Sequence, residues 1–291
     1  MKKVLISIPI LLAVFSAVFF GYKNSNREVK KEFVNYEWAK NSLWDDGQAE
    51  VAIYDATKEI YGKSRPFEYV YILVKEEFNK AYKVKTDDYS RDDLYPVMKI
   101  NKFCRVETMI YPYHFLTSLF IHRDNPERLH KLSHTSQEWC GNTSKEFLEK
   151  GSKYQYNYMS YFDGEGSGQE KVEMGPWFED QLSYTLRTLD FQDGLNFEVT
   201  LYPTQVTNKA DIPKPLKAQV SISKPDPTEL ALLKADFIDE PWKISISKSN
   251  QQTITYWING SYPNYLLKME SSDGRSLLLK EIKRDKYWDY E

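Results

Sequence analysis

Leu195-Asn196-Phe197-Glu198-Val199-Thr200-Leu201-Tyr202 switches between apolar and polar side chains at nearly every step. Successive side chains of an extended chain point to opposite faces, so Leu195, Phe197, Val199 and Leu201 share one face. One dry face and one wet face mark an antiparallel sheet. The pattern recurs downstream at Ala218, Val220 and Ile222, at Ile244 and Ile246, and at Ile254, Tyr256 and Ile258. Further strands are expected near 50–55, 67–76, 79–86, 97–109, 113–122, 154–162, 264–270 and 276–283, with Ser272-Asp273-Gly274-Arg275 as the hairpin between the last two.

The stretch just upstream obeys another period. Pro176 stands at a first helical position, Glu179 and Asp180 follow in the first turn, and Phe178, Leu182, Leu186 and Leu189 recur on one helical face. Asp193-Gly194 ends this unit. A second short helix is expected at Asp226-Pro227, with Leu230, Leu233 and Phe237 on one side. Six of the 13 prolines lie between Pro203 and Pro241 and mark long connections between strands. The expected fold is α+β, mainly β: a large curved antiparallel sheet, or half-barrel, with one amphipathic helix packed on its concave face.

The N-terminus points to export. Met1-Lys2-Lys3 precedes an apolar run, residues 4–21, interrupted by Ser7, Pro9 and Ser16. Lysines held on the cytoplasmic side of an entering apolar segment are the physical signature of translocation. Cleavage after Ser16 and retention as an inner-membrane anchor are both open. The expected organisation is a signal or anchor over 1–22, a linker or short helix over 23–43, and one β-rich envelope domain over 44–291. That places the protein in the periplasm or on the periplasmic face of the inner membrane. With 39 basic against 42 acidic residues the net charge is -3, without the basic stripe of a nucleic-acid binder.

Candidate chemistry is sparse. Phe67, Tyr69, Tyr71 and Leu73 share one face of a strand whose other face carries Val70, Ile72 and Val74, so the strand is covered on both sides or lines a groove. Tyr154, Tyr156, Tyr158 and Phe162 form an aromatic row that is either cross-strand packing or a binding platform. With Phe178, Leu182 and Leu186, the residues Tyr69, Tyr71, Tyr154, Tyr156 and Tyr158 are the candidate ligand-binding set. His130 and His134 have the i, i+4 spacing of two metal ligands on a helix, with Glu138 or Cys140 within sequence reach. Polar, surface histidines are the plainer alternative. Cys104 and Cys140 are an even pair that an oxidising compartment would bridge, or two free thiols. No phosphate loop, nucleophile elbow or dinucleotide fingerprint occurs, and no cofactor is expected.

Trp44-Asp45-Asp46-Gly47, Phe67-Glu68-Tyr69-Val70-Tyr71, His134 to Asn142 and Tyr161 to Gly166 resemble a family of Bacteroidota envelope proteins often labelled septum formation inhibitor Maf. The Ser-x-Ser-Pro-Arg-Arg phosphate loop of true Maf pyrophosphatases has only Ser64-Arg65-Pro66 to match it, so no catalytic residue carries over. Asp180 to Tyr184, Leu186-Arg187, Asp193-Gly194, Ala218-Gln219-Val220 and Asp273-Gly274-Arg275 resemble uncharacterised periplasmic proteins similar to the lipoprotein-carrier fold. That resemblance implies an apolar cavity between sheet and helix. The expected function is therefore a non-catalytic envelope protein binding a hydrophobic ligand, such as a lipid or a lipidated partner. The alternatives are an assembly protein acting through contacts with other envelope proteins, and an envelope glycan hydrolase.

Overall fold

The computed structural model describes residues 31–233 and 237–289, and among these fifteen strands form one sheet that is antiparallel except at one edge. The apolar run 4–21 lies outside the described residues. Among those described, no helix is long and apolar enough to cross a membrane. The chain divides into two units, Met1–Val34 and Asn35–Glu291, and the sheet belongs to the second.

The first eight strands form a meander in sequence order: β1 (Ala49–Ile60), β2 (Lys63–Asn79), β3 (Leu94–Val106), β4 (Tyr113–His122), β5 (Leu129–Glu138), β6 (Gly141–Lys150), β7 (Lys153–Met159) and β8 (Ser167–Glu173). The chain then leaves the β8 edge for the opposite edge. There the two-residue β9 (Trp177–Phe178) lies parallel to β10 (Asn196–Tyr202). A second meander returns through β11 (Leu216–Ser223), β12 (Trp242–Lys248), β13 (Thr253–Ile258), β14 (Leu266–Ser271) and β15 (Ser276–Asp285), and β15 pairs with β1. β8 and β9 are the two edges and do not pair with each other, so the curved sheet is unclosed. The Ser272–Arg275 hairpin forms as expected, with Gly274 at a φ of 85° that favours glycine.

Three expectations change. Residues 80–93 form a loop rather than a strand over 79–86. Asn79 Oδ1 accepts from Tyr82 N–H and Asp93 Oδ2 from Ala81 N–H, and such local bonds compete with a strand ladder. The 176–189 unit is no amphipathic helix. It is β9, a 3-10 turn (Glu179–Gln181), one α-helical turn (Leu182–Thr185) and a further 3-10 turn (Leu186–Thr188). Residues 177–189 are buried throughout, and the charged ones among them have partners. Arg187 makes a two-pronged ion pair with Glu50 of β1, Nη1 to Oε1 and Nη2 to Oε2 at 2.7 Å each, and also donates to the Pro263 carbonyl. Finally, the expected linker 23–43 reaches into the domain. Trp38 and Ala39 join the main core beside Trp44, and Trp38 meets the Tyr184 ring edge-on at 5.5 Å.

The face of β2–β7 that carries the main core is organised in register rows. Leu73, Ile100, Leu119, Leu132, Phe147 and Tyr156 stand side by side on consecutive strands. Two residues along each strand, the next row reads Tyr71, Lys102, Thr117, His134, Lys145 and Tyr158. The first row belongs to the main hydrophobic core; the second is polar and yet largely buried. β2 is covered on both sides: Leu73 joins the main core, and Ile72 and Val74 join a second cluster with Ala49.

Candidate functional site

Burying lysine in a sheet interior costs solvation, so where the polar row sends its ammonium groups is the first question. Lys102 Nζ donates to the Asp180 carbonyl at 2.6 Å and sits 4.5 Å from the Tyr71 ring centroid. Lys145 Nζ donates to the Gln205 carbonyl at 2.6 Å and approaches Thr207 Oγ1 at 3.3 Å. Lys58 of β1, partly exposed, donates to the Val206 carbonyl at 2.5 Å and lies over the Phe115 ring. None of the three pairs with a carboxylate among the described residues. Burial pulls each of them down to about 8.

His134 completes the row. Its Nδ1 faces Thr117 Oγ1 at 2.8 Å and its Nε2 the Thr207 carbonyl at 3.1 Å. Burial, then the Lys145 charge, hold it well below the ordinary histidine range, so it is a neutral imidazole donating from Nε2. The connection after β10 thus offers its backbone to this row and to Lys58 residue by residue: Gln205, Val206 and Thr207 take Lys145, Lys58 and His134.

These groups surround a cavity of about 60 Å³. Lys58, Lys102 and Arg275 supply positive charge to its lining, Glu179 and Asp180 negative charge; Tyr69, Tyr71, Cys104, Phe115 and Tyr256 contribute rings and a thiol. Asp180 is fully engaged, accepting from Thr204 Oγ1 at 2.7 Å and Gln205 N–H at 2.8 Å. Glu179 pairs with Lys248 at 2.9 Å and with Arg275 at 2.5 Å, and Arg275 also grips Asp273. With Lys145 and Lys248 just behind the lining, five cations face three carboxylates. Tyr69 is the exception to this pairing. It lines the cavity and is 8% exposed, and its hydroxyl is buried without a hydrogen-bond partner. A buried hydroxyl left unpaired costs about 1–3 kcal/mol.

Of the sequence-derived candidates, Tyr69 and Tyr71 line this cavity. Tyr154, Tyr156, Tyr158, Phe178, Leu182 and Leu186 do not. Tyr156 stacks on Phe147 at 4.3 Å and Phe178 meets Phe147 and Tyr154 edge-on, so the aromatic row is cross-strand packing. Cys104 and Cys140 are unbridged: Cys104 faces the interior, whereas Cys140 is exposed in the β5–β6 turn and contacts the Tyr111 hydroxyl at 3.4 Å. Burial pushes the Cys104 thiol up to about 12.

The alternative of a metal between His130 and His134 fails on geometry, and both rings are buried rather than at the surface. β5 is extended, so four residues separate His130 from His134 by roughly 13 Å along the strand. His130 instead joins His122 and Glu149. Glu149 Oε2 accepts from His122 Nε2 at 2.6 Å and His130 Nδ1 at 3.0 Å, Arg128 holds Oε1, and the Tyr95 hydroxyl reaches His130 Nε2 at 2.8 Å. Against its burial, these bonds hold the Glu149 carboxyl well below the usual carboxylate range. Two imidazoles and a carboxylate form a donor set that divalent metals accept, but the Arg128 guanidinium already neutralises this carboxylate. The cluster is a closed ion-pair network.

No family model and no curated protein matches the chain. Among solved structures, the chain is similar to a β-barrel-like protein of the domain of unknown function DUF1849 from Brucella abortus, with 11% identity over 82% of this chain and 98% of that one and a TM-score of 0.48. It is also similar to a DUF1089 family protein from Pseudomonas aeruginosa, with 12% identity over 66% of this chain and 87% of that one and a TM-score of 0.37.

Proposed function

We propose that the protein is an exported, non-catalytic binding protein that holds one small oxyanion inside its curved sheet, beneath the 179–188 segment. The observation that carries this reading is that Tyr69, its hydroxyl buried and unpaired, lines the same cavity as Lys58 and Lys102, which have no carboxylate partner among the described residues. An oxyanion accepts from all of these groups at once and supplies the missing charge.

The site's chemistry supports an anion over a hydrophobic ligand. An apolar cavity that holds one benzene measures roughly 150 Å³, and 60 Å³ with a charged lining leaves no room for an acyl chain. It also supports binding over turnover. Each oxygen of the Asp180 carboxylate is held by a donor, and a thiol pushed up to about 12 stays protonated near neutrality. Export rests on Met1-Lys2-Lys3 and the apolar run after it.

Titration calorimetry of the full-length chain in mild detergent with sodium phosphate and sodium acetate tests the reading. At least one of the two binds, and Lys102→Met loses that binding while remaining folded. No heat from either anion, or equal binding by the Lys102→Met variant, overturns it.

A further inference from the structure

The cavity does not end at its lining. Lys58 and Phe115 are shared with an open groove of about 420 Å³ bordered by Tyr61, Tyr111, Tyr113 and Phe162. A run of rings passes through the groove's aromatic residues to the polar row. Trp139, exposed in the β5–β6 turn, stacks on Tyr111 with centroids 6.0 Å apart. Tyr111 meets Tyr113 at 5.6 Å, Tyr113 stacks on Phe115 at 5.9 Å, and Phe115 stacks on His134 of the polar row at 6.0 Å. Aromatic side chains therefore line the groove, and Phe115 continues them into the cavity that holds Lys58 and Lys102. Charge in the groove balances: Lys58 and Lys209 against Glu59 and Glu138.

Resting on the oxyanion reading above, we infer that the ligand is an aryl oxyanion: its carboxylate or phosphate occupies the cavity, and its uncharged aromatic ring lies in the groove. A planar ring matches walls rich in aromatic side chains. A neutral tail matches a groove without net charge, whereas a second anionic group there would meet Glu59 and Glu138. Lys58 stands at the junction, lining both spaces, with its ammonium over the Phe115 ring that the two also share.

The same calorimetry compares phosphate with phenylphosphate and acetate with phenylacetate. At least one phenyl compound binds tenfold or more tighter than its parent; which pair shows the larger gain separates a phosphate from a carboxylate. Tyr111→Ala and Phe162→Ala, both at loop positions, erase most of that gain and leave the parent anion's affinity unchanged, which also certifies their folding. A gain below about twofold for both pairs, or a gain that survives both substitutions, overturns the aryl assignment and leaves the oxyanion reading standing. Failure of all four compounds to bind removes the oxyanion reading itself.

Discussion

Two neighbouring rows of the same sheet face have opposite characters. Leu73, Ile100, Leu119, Leu132, Phe147 and Tyr156 pack with one another and with Phe178, giving the strands a reason to pair in this register. Tyr71, Lys102, Thr117, His134, Lys145 and Tyr158, one side-chain step along, bury charge that sheet stability does not require. A fold kept only for stability would have filled both rows with leucine and valine. The contrast separates what holds the sheet together from what the sheet holds.

The largest test of that contrast is at the apolar row. Leu132→Ala empties a fully buried position and should lower unfolding stability by about 2–5 kcal/mol in denaturant titration, with anion affinity intact in the folded fraction. In the polar row the outcomes reverse. Lys102→Met removes an unpaired buried charge, so thermal stability should hold or rise while anion affinity falls at least tenfold in calorimetry. Loss of both properties in either variant would merge the two rows into one function.

Proton linkage sharpens the comparison. Lys58, Lys102 and Lys145 sit near 8 when folded and recover the usual lysine value, about 10.4, when unfolded. The unfolded chain therefore holds more protons between these values, and ligand-free stability should climb as pH rises from about 8 toward 10. Anion binding needs the charged lysines and should weaken over the same interval. Melting temperature and affinity measured at pH 7, 8 and 9 should move in opposite directions. The smallest effect belongs to Tyr69→Phe, which deletes one hydroxyl: affinity should fall about fivefold, as expected for one hydrogen bond of about 1 kcal/mol, with stability unchanged or slightly higher.

Period two made the strand body legible, and Leu195 to Tyr202, Ala218 to Ile222 and Ile254 to Ile258 form strands as their alternation demands. The same rule failed where function interrupts it. β5 and β6 turn His130, His134, Lys145 and Glu149 inward, so their alternation does not show as apolar against polar, and the segment read as a histidine-rich stretch of strand and loop. Lys102 was recoverable in principle, since Met98 and Ile100 fix the face on which it falls. Lys58, Glu179 and Arg275 were not, because their meeting depends on a crossover from one sheet edge to the other that no local pattern encodes. The 177–189 segment misled for the same reason: Phe178, Leu182 and Leu186 gave a helical stripe, but partners for Glu179 and Arg187 come from strands far away in sequence.

The seam between β1 and β15 joins the opening and closing strands of the domain. As the polypeptide emerges, the first meander can assemble early, but β1 keeps a naked row of amides and carbonyls until the last strand is made. Over that interval the nascent chain is an open invitation to self-association, and the delay grows with everything encoded between the two strands. A chain built this way depends on its last strand to cover β1, so a premature stop before Ser276 would do more than shorten the sheet: it would leave a sticky margin on each half.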